Sequence, residues 1–186
     1  MSTLEVKELS HPAGQVIKIA SGKTLDLKSQ GSVTMPTGSV LQVVNFQTGA
    51  YSAASGTLPH DDTVPQNTEG TEFMSIAITP TSAASKLKIE VNIRGSMSGG
   101  SYMVSALFQD AIASSLAASL SDINGNNFPT FVAFTYYMTA GTTSETTFKV
   151  RAGPDSTGTI YINGAGGSRR FGGVSSSSIT ITEIAQ

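Results

Sequence analysis

The sequence predicts an all-β protein: an eight-stranded antiparallel jelly-roll sandwich preceded by a short shaft-like N-terminal β segment. Three observations carry this expectation. Near the N-terminus, aliphatic pairs recur every eight residues, at Ile17 and Ile19, Leu25 and Leu27, Val33 and Met35, then Leu41 and Val43, with Gly14, Gly22, Gly31 and Gly38 between them. Beyond residue 39, apolar and polar side chains alternate with a period of two in run after run, as strands with one buried face require. Charge is sparse, at 13% of the 186 residues, so Ser, Thr, Gly and Asn supply the polarity. Such a composition suits turn-rich β structure and disfavours long exposed helices.

Each eight-residue unit is a very short strand followed by a glycine turn. It offers two aliphatic side chains to one face, too little to bury a core alone. Short repeats of this kind gain stability by stacking on neighbours or on other copies of the chain. Residues 1–39 therefore read as an attachment or shaft segment, with Ile17, Ile19, Leu25, Leu27, Val33 and Met35 as an oligomer interface. Its first fourteen residues form a leader in which Leu4, Val6 and Leu9 share a strand that Ser10-His11-Pro12 breaks. Pro36-Thr37-Gly38 marks the boundary with the head domain, residues 40–186, because proline and glycine together interrupt a ladder.

Eight strands are expected in the head. The first is Val40 to Phe46. A polar stretch from about Thr48 to Gly70 follows, long enough without a clear strand to suggest a functional or interfacial loop or a strand that the pattern conceals. Glu72 to Ile78 is the second strand. Lys86 to Arg94 has the clearest alternation in the chain: Leu87, Ile89, Val91 and Ile93 inward, Lys86, Lys88, Glu90, Asn92 and Arg94 outward. Gly99-Gly100 turns the chain into Tyr102 to Phe108. Residues 110–121 fit a short helix, through Ile112, Leu116 and Leu120, as well as a strand or an irregular crossing. Thr130 to Met138, Thr143 to Arg151, Thr159 to Asn163 and Ser178 to Ile184 complete the set. No alternation of helix with strand points to a parallel sheet.

Several functions are disfavoured. Net charge is −2 and the only adjacent basic pair is Arg169-Arg170, so a nucleic-acid footprint is not expected. No apolar run approaches the roughly 18 residues of a membrane helix. With no cysteine, disulfides and thiolate metal sites are excluded. His60-Asp61-Asp62 has ligand chemistry, yet three adjacent residues on an extended chain point alternately, so a solvated loop tip is expected and no metal. His11 and His60 are the only histidines, and neither adjoins a Gly-x-Ser-x-Gly elbow. No cofactor and no catalysis are expected.

Two features suit contact with a partner. In Gly164 to Gly173, glycines surround Arg169, Arg170 and Phe171, and an arginine beside an aromatic can grip a sugar ring or an acidic group. The competing reading packs that loop against a neighbouring subunit. On the strand from Thr130, Phe134 and Tyr136 share one face and Phe131 and Tyr137 the other. That arrangement fits a core face backed by a subunit interface or, less readily, a glycan platform.

The series Ser82-Ala83-Ala84-Ser85-Lys86-Leu87-Lys88-Ile89, Ala106-Leu107-Phe108-Gln109-Asp110, Thr146 to Arg151, Gly158 to Asn163 and Ser177 to Ile184 resembles the C-terminal heads of tail fibres and related virion appendages of cyanophages and other aquatic phages. Gly22 to Leu27 and Val40 to Val44 resemble their shaft-to-head junction. One departure stands out: Asp110 is followed by Ala111, where the family often carries a glycine turn. The resemblance implies a homotrimer with a jelly-roll head. It also implies a structural or receptor-binding role on a virion, with other virion proteins held through the N-terminal segment and a host surface glycan as a possible partner. The beginning Met1-Ser2-Thr3-Leu4-Glu5 lacks a secretory signal, in keeping with synthesis in a cytoplasm and release by lysis. The alternatives are a capsid decoration protein that grips the shell through residues 1–39, a polysaccharide-degrading tail spike, which would need a placed carboxylate pair, and a bacterial lectin-like module, which would normally carry a signal sequence.

Overall fold

The computed structural model describes residues 21–23, 35–123 and 126–186. The expected interface positions Ile17, Ile19, Leu25, Leu27 and Val33, and the leader with His11, lie outside the described residues. The chain divides into two units, 1–34 and 35–186. In the first, Gly22 sits in a turn at φ +73°. In the second, Met35 is 44% exposed.

The described strands are β1 (Val40–Thr48), β2 (Ser52–Ala54), β3 (Thr71–Ile78), β4 (Lys86–Ser98), β5 (Tyr102–Gln109), β6 (Ala117–Asp122), β7 (Thr130–Thr139), β8 (Thr146–Pro154), β9 (Thr159–Ile162), β10 (Gly164–Ala165), β11 (Ser168–Arg169) and β12 (Ser177–Ile184). The eight long ones form two antiparallel sheets. One runs β1-β12-β4-β7 and the other β3-β8-β5-β6. Strands distant in sequence thus lie side by side, as the jelly roll expected from the sequence demands. The short strand β9 continues the β12 edge along the far end of β4, and β2 pairs with β9. Where the two sheets meet, the hydroxyls of Ser121 on β6 and Thr130 on β7 lie 2.8 Å apart.

The alternation of β4 is borne out. Leu87, Ile89, Val91 and Ile93 are at most 1% exposed and meet Ile179 and Ile181 of β12, Met103 and Leu107 of β5, and Phe148 and Val150 of β8 in one core. Each such side chain contributes about 1.5–3 kcal/mol by leaving water.

One sequence expectation needs correction, and two open readings are resolved. Of the readings open for 110–121, the strand holds over residues 117–122, which form β6; the strand is short and built of Ala, Ser and Asp around a single Leu, so its alternation is faint. The 159–162 segment, expected among the eight main strands, is the short β9, and β6 takes its place in the sandwich. The 48–70 stretch holds a concealed strand, the second of the readings left open for it. It contributes β2 and a bridge from Gln66 to Ser114, and Leu58 is fully buried against Val104, Ala106 and Phe108 on the outer face of the second sheet. Both faces of β5 are therefore covered, and every residue from Met103 to Phe108 is buried.

Asp110 replaces the expected glycine by itself adopting φ +50°. Its carboxylate accepts the Thr147 N–H at 2.7 Å and the Thr146 hydroxyl at 2.8 Å, tying the β5–β6 turn to the start of β8. An aspartate tolerates this backbone region better than most residues.

Glu183 is the buried acid of the sandwich, with no exposed surface. Its carboxylate accepts the Gln42 amide at 2.6 Å, the Thr81 N–H at 2.9 Å and the Thr81 hydroxyl at 2.7 Å, joining β12, β1 and the β3–β4 turn. Burial alone would raise the acid's pKa. The donors from Gln42 and Thr81 outweigh it and hold the carboxyl below its ordinary range.

Ile89→Ala should cost about 2–5 kcal/mol in denaturant melts, since the site cannot collapse between two sheets; a loss near zero would contradict the closed core. A carboxyl held low in the folded state stabilises it fully above the unfolded pKa, about 4.3, and loses that contribution as pH falls through the folded value. Glu183→Gln should therefore lower stability at neutral pH by about 1–3 kcal/mol or more. The gap to the parent protein should narrow as the pH drops below about 4. A gap that stays constant down to acid unfolding would mean Glu183 is not ionised in the fold.

Candidate functional site

The loop singled out by its arginines is a built structure. Strands β10 and β11 pair Gly164 with Arg169 and Ala165 with Ser168. Gly166 and Gly167 close the hairpin at φ +58° and +80°, a two-residue turn that needs positive φ at both positions. Phe171, Gly172 and Gly173 follow at φ +50°, +63° and +96°. A bulky residue in that region is strained, and such strain persists only where surrounding structure enforces it. Here the enforcing contact is a close approach of two backbones: a Cβ on Gly49 would lie 2.1 Å from the Gly173 carbonyl oxygen. The turn leaves Phe171 80% exposed.

A buried polar knot fixes the base of the hairpin. Asn163, at φ +56°, donates its side-chain amide to the carbonyls of Thr48 and Ala50 at 2.9 and 3.0 Å. The Ser177 hydroxyl donates to Asn163 Oδ1 at 2.8 Å and accepts the Arg94 N–H at 3.0 Å. The Asn163 N–H donates to the Arg94 carbonyl at 2.8 Å. Arg94 and the hairpin are thereby held by the same two buried side chains.

The three expected contact residues are separated by the fold. Arg170 and Phe171 line a shallow depression of about 100 Å³ together with Arg94, Pro129, Thr130 and Ser175. Arg169 instead lies back over its own loop, with Nη1 3.1 Å from where a Cβ on Gly173 would be. Arg94 was expected only as an outward position on a half-buried strand. It stands in register opposite Phe131, which is 63% exposed, and such directly opposed side chains interact across a sheet. Among the described residues Arg94, Arg169 and Arg170 form no ion pair, and no acidic residue lines the depression. The site thus offers unpaired guanidinium donors framed by flat apolar surface. The signals for its support were the Asn163-Gly164 dipeptide, a turn former, and the isolated Ser177, neither of which reveals a buried pair.

The aromatic strand divides as its parity predicts. Phe134 and Tyr136 pack against the core, while Phe131 and Tyr137 face outward. Lys88 stands opposite Tyr137 and pairs with Glu90 at 2.8 Å.

His60 lies in the second candidate cluster. Its ring meets Tyr102 edge-on at 4.8 Å between centroids. The Asp61 carboxylate accepts both the hydroxyl and the N–H of Thr63, and these bonds hold it below the ordinary carboxylate range. Among the described residues no three His, Asp or Glu side chains are grouped to hold a metal ion, and no helix is long and apolar enough to cross a membrane.

A β sandwich bearing an exposed arginine–aromatic surface defines the class. Residues 54–186 match the model of the Pgp3 C-terminal domain, and the chain belongs to that family. Among solved structures it is similar to the C-terminal domain of EclA, a sugar-binding protein, at 16% identity over 86% of this chain and 89% of that one, with a TM-score of 0.34. It is also similar to VP2 of infectious bursal disease virus, at 11% identity over 87% of this chain and 41% of that one, with a TM-score of 0.35. Tailspike protein 4 of bacteriophage CBA120 matches at 14% identity over 66% of this chain and 19% of that one, with a TM-score of 0.27. The chain thus spans less than half the length of either viral protein. No curated protein matches the chain.

Proposed function

We propose that the chain is a non-enzymatic adhesion protein of a phage virion, a homotrimeric tail fibre or fibre-like appendage. Its head meets the host surface through Arg94, Arg170 and Phe171, with Arg169 at the margin. Residues 1–39 attach or elongate it against other virion proteins. The observation that carries this reading is the depression itself, where two arginines without acidic partners stand among exposed aromatic rings. Guanidinium groups match anionic or hydroxylated sugars, and a phenyl face covers the apolar side of a ring. The octad segment supports the trimer, because its aliphatic pairs need partners beyond one short strand. Three copies then add weak contacts through effective concentration. The non-enzymatic reading is supported by the sparse histidines, two in the chain, one of them beside an aspartate already engaged by Thr63. Membership of the Pgp3 C-terminal domain family is compatible with an assembling, adhesive head.

Changing Arg169, Arg170 and Phe171 together to Ser should leave trimers intact by native mass measurement. Adsorption to host cells should weaken about tenfold, equivalent to about 1.4 kcal/mol. Unchanged adsorption would remove the patch from the contact. Loss of trimers would assign the loop to the subunit interface.

A further inference from the structure

A second concavity lies on the other sheet, apart from the arginine surface. Leu58 anchors the 55–70 segment to the outer face of β5, and the chain beyond it stands off from β6. The space between measures about 370 Å³, within the roughly 300–1,000 Å³ of small-molecule sites. Its floor is aliphatic: Val104, Ala118 and Leu120, the last 37% exposed although apolar. Its rim is polar and carries His60 and Asp61, while β6 contributes only backbone at Ser119, whose side chain shares the inner face with Ser105.

The rim groups are held in place. The His60 ring rests against Tyr102. Asp61 Oδ1 takes both hydrogen bonds from Thr63, which fixes the carboxylate and leaves Oδ2 without a protein donor among the described residues. Pro59 and Pro65 bracket this wall and restrict its backbone. No lysine or arginine lines the space, so an anion would meet a carboxylate with no compensating cation.

We propose that this groove is a binding site for a neutral saccharide, seating one sugar ring with its C–H face on Val104, Ala118 and Leu120. The ring hydroxyls then donate to Asp61 Oδ2 and exchange hydrogen bonds with His60. An aliphatic floor with a fixed acceptor on one side matches a sugar ring, which is apolar on its faces and hydroxylated at its edge. The site is independent of the arginine surface and stands whether or not that surface binds a host.

The test uses the full chain, isotopically labelled and titrated with glucose, galactose, mannose and N-acetylglucosamine, and separately with choline and acetate. At least one sugar should shift the His60, Ser119 and Leu120 resonances with a Kd of about 1 mM. Asp61→Asn keeps an acceptor for Thr63 and replaces the free acceptor oxygen with an uncharged NH2 donor, and should weaken binding about tenfold. Ala118→Trp, at an exposed position, should abolish binding while thermal melts stay unchanged. The Arg169, Arg170 and Phe171 triple change should leave the affinity unaltered. Four results would each overturn the proposal: no sugar shifting these resonances at tens of millimolar, shifts that persist in Ala118→Trp, an affinity unchanged by Asp61→Asn, or binding of choline or acetate in place of the sugars.

Discussion

Strand β4 sets the condition that the rest of the sandwich satisfies. Its inward side chains, Leu87, Ile89, Val91, Ile93 and Met97, must leave water, and both its edges need hydrogen-bonding partners. The partners come from well downstream of it in the sequence. Along Lys86–Asn92 it is flanked by the C-terminal strand β12 and by β7, and from Gly95 onward β9 takes over the β12 edge. Because backbone groups left unpaired away from water are costly, the handover from β12 to β9 beside Arg94 needs another donor or acceptor. Ser177 and Asn163 provide it, bonding the Arg94 N–H and carbonyl. The exposed arginine surface therefore sits at the joint where one partner strand gives way to the next, and its position follows from the pairing of the core.

Two carboxylates close further joints of the sandwich. The buried Glu183 serves four donors at the corner between β12, β1 and the β3–β4 turn. The exposed Asp110 serves two where the β5–β6 turn meets the start of β8. Each meets N–H groups that the ladder alone would leave unpaired. A buried polar network contributes most when its members are satisfied, and Glu183 meets more than one donor.

Much of the fold was legible in the sequence. Period-two alternation is strongest where one face is dry and the other wet, and Lys86–Arg94 meets that condition fully. The signal failed where it should fail physically. Strand β6 lies at an edge and consists of two Ala, two Ser, one Leu and one Asp, so neither face carries enough apolar area to stand out. The segment around Leu58 makes a small satellite core with one large side chain, which periodicity cannot detect. Of the candidate site, Arg170 and Phe171 were visible as chemistry. Arg94, 76 residues away in the chain, was visible only as an outward position, because its approach to them depends on pairing across the sheet.

Adhesion through unpaired surface arginines has a direct physical signature. Interactions between exposed charges are screened as the Debye length shrinks, from about 10 Å at 0.1 M to about 3 Å at 1 M salt. The decisive measurement is adsorption of the full chain to host cells across that range. A charge-led contact at Arg94 and Arg170 predicts a steep fall with rising salt. Adsorption that holds steady or strengthens would contradict it and move recognition to an apolar or neutral surface of the head.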